Sequence, residues 1–319
     1  MLNGRDNALK VFRHEMPERF PRNEDFHNMF FPMERAADPE GGEDGFGVHW
    51  TVMPNAGQTV HYLNGPPLTD VSLWREQVRW PDLDHFDWAA DAARQTAAWD
   101  RETQMGMMVL FNGHFERLHA LMGFEDALLA FYDDPDAVHE LFSAMTQYKL
   151  RCLRIAKEHY DPDIIVFHDD WGANTNMFFS PDLWKEFIAP QLQQVIDETH
   201  RLGMLFEMHS CGHVHEVVGD LVDMGIDSIQ PLQYPQNDIR MVKDNWGDRL
   251  VIRGGSDGQK VLSPESSEAD IRAAARESLE VLAPNGNHIP YVFAFGSDPQ
   301  RPMAIFNDEV SRFEQEFFH

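Results

Sequence analysis

Short apolar runs alternate with segments of helical spacing six times between Met107 and Phe318, which predicts an α/β fold, a single (β/α)8 TIM barrel with an N-terminal extension. Two further observations point the same way. The runs are short and apolar, as strands of a parallel sheet covered on both faces are. Polar, ligand-capable residues gather directly after each run, where a parallel barrel opens its mouth. An open doubly wound sheet is the alternative, but no glycine-rich dinucleotide fingerprint follows the first strands.

The 319 residues, 43% of them hydrophobic, are enough to bury one large core, and no linker or internal repeat divides them. Residues 1–319 therefore read as one domain, with 1–100 forming a helical and irregular extension plus the first barrel elements. Glu34–Gly65, rich in Gly, Pro and acidic residues, reads as irregular surface with short strands. Trp88–Thr103 has helical spacing, and Met107–Phe111 (MMVLF) is the first clear strand. Helices over Phe124–Tyr132 and Pro135–His159 follow, then a β-branched strand at Asp163–Phe167. Ser180 as N-cap with Pro181 in the first turn opens a helix to about Arg201, ended by Gly203. Strand Met204–Met208, helix Val214–Met224 stopped by Gly225, and strand Ile226–Ile229 come next. Helix Asn237–Trp246 leads to strand Leu250–Arg253. Ser263-Pro264 and Ser267-Glu268 introduce a helix to Leu282, and Tyr291–Phe295 and Asn307–Phe318 are the last strand and helix.

Acidic residues outnumber basic ones, 53 to 26, for a formal charge of -27. Such a field repels nucleic acid and anionic membrane surfaces. No charged, apolar leader stands at Met1–Lys10 and no apolar stretch reaches membrane-spanning length, so the cytoplasm is the expected compartment. With only Cys152 and Cys211, a disulfide framework is not expected.

The strand exits supply the candidate site: Asn112 and His114, then His168, Asp169, Asp170 and Trp171, then Glu207, His209 and Cys211, and later Asp257 and Asp298. Glu207, His209 and Cys211 are the most specific group. Their i, i+2, i+4 spacing puts them on one strand face, and carboxylate, imidazole and thiolate are all zinc ligands. A packed strand end, with His209 bonded to backbone and Cys211 as a small hydrophobe, is the plain alternative. His213 and His215 are read as opening the next helix. Asp169 and Asp170 are adjacent carboxylates, a pairing that can lift one of them toward a general acid's range, or leave one as a cap. Aromatic residues near them, Trp171 first, suit either a core or an aromatic substrate. Asp257, after Gly254-Gly255, either binds substrate or caps a helix.

The motifs also carry a resemblance. Met16-Pro17-Glu18-Arg19-Phe20-Pro21, Trp80-Pro81-Asp82-Leu83-Asp84, Leu121-Met122-Gly123-Phe124-Glu125, His168-Asp169-Asp170-Trp171-Gly172 with Ser180-Pro181, His209-Ser210-Cys211-Gly212 and Gly254-Gly255-Ser256-Asp257 together resemble the uroporphyrinogen decarboxylase superfamily, and within it the corrinoid-linked methyltransferase branch. The resemblance implies a TIM barrel and zinc held by His209 and Cys211, with a third thiolate after the last strand. Here that position is Gly296-Ser297, so Glu207 or Asp298 becomes the candidate third ligand, or the site works without metal. It further implies a cobalamin (corrinoid) carried by a partner protein, a small methyl donor such as an O-methylated aromatic, catalytic roles for His168, Asp169 and Asp170, and substrate contacts from Asn112, Trp171, Asp257 and Tyr291. A metal-free decarboxylase of a small acid is the runner-up. The true porphyrinogen decarboxylase is disfavoured, because its arginine-rich loop has no counterpart and Phe20–Pro32 holds only Arg22. A homodimer is compatible with all of this.

Overall fold

The computed structural model describes residues 2–35, 40–53, 57–60, 62, 65–263, 265–292 and 298–318. Seven parallel strands form one sheet: β1 (Phe26–Phe30), β5 (Met105–Leu110), β6 (Ile164–His168), β7 (Leu205–Ser210), β8 (Ser228–Pro231), β9 (Val251–Arg253) and β10 (His288–Ile289), paired in that order. Between β1 and β5 the chain builds a separate antiparallel sheet of β2 (Gly41–Glu43), β3 (His49–Met53) and β4 (Gly57–Val60).

The large sheet is strongly curled. Arg253 on β9 lies 2.7 Å from the Met107 sulfur on β5 and 4.6 Å from the Phe26 ring on β1, so distant strands meet inside the curl. Helix Gly4–Phe12 closes its floor, with Ala8 and Val11 packed on Met105, Met107, Ile164, Val166, Val251 and Ile289. The alternate side chains Met108, Leu110, Ile165, Phe167, Phe206 and Met208 face outward and are covered by the helices. Both faces are thus buried, which is why the strands read as short apolar runs.

The closed eight-stranded barrel expected from sequence is found as this curled seven-stranded sheet: no pairing joins β10 to β1 among the described residues. The expected strand Tyr291–Phe295 falls partly outside them, and the strand present there is His288–Ile289. Ser180 caps its helix as expected, its hydroxyl accepting the Leu183 amide at 3.2 Å. Pro264 lies outside the described residues, and Ser267 provides the next N-cap, accepting the Asp270 amide at 3.2 Å. The helix from Trp88 stops at Thr96 rather than Thr103. Asp100 turns the chain there, accepting the Glu102 amide at 3.0 Å and the Thr103 hydroxyl at 2.7 Å. The last helix starts at Gln300, earlier than expected, because Pro302 in its first turn costs no hydrogen bond.

The short strands expected between Glu34 and Gly65 are present as β2 to β4, but the segment is not the exposed surface its composition suggests. Glu34, Asp44, Phe46, Val48 and Trp50 are buried. Arg117 pairs with Asp44 at 2.7 Å and Glu34 at 3.2 Å, and Lys149 pairs with Glu34 at 2.9 Å. Asp44 also accepts the Trp50 indole at 2.9 Å. This network fastens the inserted sheet and the segment before it to two barrel helices. Removing one member strands buried charge of the other sign. Arg117→Met is therefore expected to lower stability by about 3–5 kcal/mol in urea unfolding; a change under about 1 kcal/mol would show that the network is not tightly closed.

Candidate active site

The exits of β6 and β7 form the site. Register sets His168 opposite His209, and their rings stack with centroids 3.9 Å apart and planes 12° from parallel. Beyond the strand ends the two loops are laced together. The Asp169 amide donates to the His209 carbonyl at 3.0 Å, and the Cys211 amide donates to Asp170 Oδ1 at 2.7 Å. The Trp171 amide donates to Ser210 Oγ at 2.9 Å, and the His213 amide to the Ala173 carbonyl at 2.8 Å. Only glycine fits at 212: its φ is +75°, and a Cβ there would stand 2.2 Å from the Gly172 carbonyl oxygen.

This lacing gathers donor atoms. His209 Nε2 has Cys211 Sγ at 3.5 Å and Asp170 Oδ1 at 3.6 Å. Zinc–ligand bonds of about 2.0–2.3 Å in a tetrahedron hold neighbouring ligand atoms roughly 3.3–3.6 Å apart, and each of these two pairs, taken by itself, has that spacing. The donors of His168, Asp170 and His209 also lie within 4.8 Å of one another. The stack nonetheless separates the two imidazoles. A nitrogen lone pair lies in its ring plane, and an ion about 2 Å from one ring and in that plane sits well out of the plane of a ring stacked on it. His209 is then the central candidate ligand, with Cys211 and Asp170 each near its Nε2 and His168 stacked beside it. Burial holds the imidazoles neutral, pushing His209 down to about 3 and His168 down to about 4, which keeps their nitrogen lone pairs available. Burial also pushes the Cys211 thiol well up, a cost that a bound cation would offset.

Two residues that the sequence reading missed complete the surroundings. Glu116, buried in the first turn of helix His114–Met122, lies 2.7 Å from His168 Nδ1. Arg35 stands 3.6 Å from Glu116 and lies over the Phe111 ring at 4.1 Å. Neither is near a recognisable motif, and Arg35 lies in the stretch read as surface. A cleft of about 620 Å³ opens beside Cys211, bordered by Gly172, Asn174, Gln233 and Gln236.

Residues 45–303 match the uroporphyrinogen decarboxylase (URO-D) family. The chain belongs to that family. The resemblance read from the motifs is borne out by this match. Among solved structures, a methyltransferase from Methanosarcina mazei is similar over 98% of this chain and 99% of its own, at 14% identity and a TM-score of 0.69. At that identity the likeness is one of fold. A xylose isomerase-like TIM barrel protein from Mycobacterium smegmatis, in complex with magnesium, is similar over 73% of this chain and 82% of its own, at 11% identity and a TM-score of 0.37. No curated protein matches the chain.

In this URO-D family protein the remaining site candidates are distributed by packing. Glu207 shares the inward face with His209 but sits one layer deeper. Its oxygens accept Ser228 Oγ at 2.8 Å and Gln230 Nε2 at 2.6 Å, with Arg253 at 3.5 Å, so its carboxylate is committed away from Cys211. Burial pushes its pKa up. Asp169 does not face the cleft. It accepts the Phe115 and Glu116 amides at 3.2 and 2.8 Å, capping their helix, and burial first, then the Glu116 charge, push it up to about 7. Asn112 donates to the Glu34 carbonyl, and Trp171 is a core ring set edge-on against Trp184 at 5.5 Å. Asp257 accepts the Lys260 amide at 3.1 Å at a helix start, and Tyr291 faces Arg253 at 4.9 Å. His213 is bound to the Gln236 carbonyl and to Glu216, at 2.5 and 2.9 Å. Ser297 lies outside the described residues, and Asp298 is exposed. No helix among the described residues is long and apolar enough to cross a membrane.

The Gly212 turn yields a test. Gly212→Ala is expected to force the two loops apart and lower stability by more than about 1 kcal/mol. An unchanged thermal midpoint would show that the loops are not held this closely.

Proposed function

We propose that this URO-D family chain is a methyltransferase that moves a methyl group between a small donor, an O-methylated aromatic being the leading class, and a corrinoid carried by a partner protein, with zinc assistance. The observation that carries the reading is His209 Nε2 lying 3.5 Å from Cys211 Sγ and 3.6 Å from Asp170 Oδ1 at the carboxyl ends of parallel strands, beside an open cleft. It is supported by the family membership and by the fold likeness to a methyltransferase over nearly the whole chain. In this reading Asp170, 3.6 Å from His209, is the candidate third ligand where the motifs suggested Glu207 or Asp298.

Zinc bound there supplies Lewis acidity toward a heteroatom of the methyl donor or acceptor. The protein's own groups do the rest. His209 offers a neutral imidazole, and Cys211 a thiol that loses its proton on binding a metal. Asp170 orients the Cys211 amide while presenting its carboxylate. The residues around the cleft, Gln233, Gln236 and Asn174, offer amide donors and acceptors for a polar substrate.

Purified protein is expected to hold about one zinc per chain, and His209→Ala and Cys211→Ser to lose it. Methyl transfer to free cob(I)alamin from a panel of methoxy-aromatic donors, followed by the cobalamin absorption spectrum, is expected in the wild type and to fall more than about 100-fold in either variant. A wild type without metal would remove the zinc role. Release of carbon dioxide from a small acid without methyl transfer would replace the reading with decarboxylation.

A further inference from the structure

Glu116 is buried against the His168 ring, which stacks on His209. With Glu116 ionised, its carboxylate can only accept, and the 2.7 Å contact is then donated by His168 Nδ1. That bond fixes the rotation of the His168 ring. The His168 ring lies flat on His209, 3.9 Å away, and has Phe111 beside it at 5.1 Å. Glu116 is itself held. Its amide donates to Asp169 Oδ1 at 2.8 Å, and its other carboxylate oxygen stands 3.6 Å from Arg35. The Asp169 amide in turn donates to the His209 carbonyl at 3.0 Å, so the link returns to the strand it started from. Gly113, directly before the helix, is needed for this closure: a Cβ there would stand 2.4 Å from the Asp169 Cβ.

We propose that Glu116 is a positioning residue which, through the stacked His168 ring, sets the plane of the His209 imidazole for metal binding. The proposal rests on the zinc reading above. It gives Arg35 a part as well, as the cation that holds Glu116 from the segment preceding the inserted sheet. Hydrogen-bonded supports of this kind around a ligating histidine commonly govern metal affinity. Gln230 hydrogen-bonds the His209 side chain directly, and the stacked His168 ring is a second support beside it.

The test uses full-length protein loaded with cobalt(II), whose visible bands report ligand geometry, with affinity read by competition against a chromophoric chelator. Glu116→Leu is expected to weaken cobalt binding about 10–100-fold and to alter the visible bands. Glu116→Gln keeps an oxygen that accepts the Nδ1 proton and is expected to stay close to the wild type. His168→Leu approaches the link from its other end, and carries the test if Glu116→Leu does not fold; it is expected to weaken binding to the same degree. Wild-type affinity and spectrum in a folded Glu116→Leu or His168→Leu variant would overturn the proposal while leaving the metal site standing. Equal loss in the Gln and Leu variants would overturn it too, by tying the effect to charge rather than to the hydrogen bond. A wild type that takes up neither cobalt nor zinc would bring down the metal reading itself, a result distinct from the other two.

Discussion

The register between β6 and β7 sets His168 opposite His209, and the site follows from it. Side chains alternate across a sheet with period two, so a slip of one residue would send both imidazoles into the helix layer and bring Phe167 and Met208 inward. The apolar pattern forbids that slip. Phe167 and Met208 are fully covered outside the sheet, and Val166 lies within it. The core therefore aims the side chains of the candidate site, and the loops beyond the strand ends only trim their positions.

Burial then gives the imidazoles their chemistry. Both rings are mostly buried and neutral, one against the other, with carboxylates at their edges. The surroundings are dense in charge, and the structure keeps those charges in separate compartments. Arg117 and Lys149 serve Glu34 and Asp44, Arg253 faces Glu207 below, and Arg35 serves Glu116 beside the site. Isolated buried charges are costly, and each of these has an opposite within reach.

Much of this was legible in the sequence where period and motif agree. The strand runs from Met107, Asp163, Met204, Ile226 and Leu250 fall within a residue or two of β5 to β9, because both faces of those strands are apolar. His209 and Cys211 stand together as their spacing suggested, and Asp170 was singled out, though as an acid rather than beside His209. Glu34, Asp44 and Arg35 were not legible. Their stretch is polar and glycine-rich, and it is buried only because Arg117 and Lys149, far along the chain, supply the opposite charge.

The sequence by itself determined the class of fold, the family and the strand exits that hold the chemistry, since these depend on local periodicity and on short contiguous motifs. Tertiary structure alone decided how the acidic residues divide. Glu207, on the same strand face as His209, is taken by Ser228 and Gln230 from the next strand, while Asp169 turns to a helix start and Asp170 to His209 and the Cys211 amide. Which partner a carboxylate finds depends on groups brought near by register and loop closure, and spacing along one strand carries no record of those.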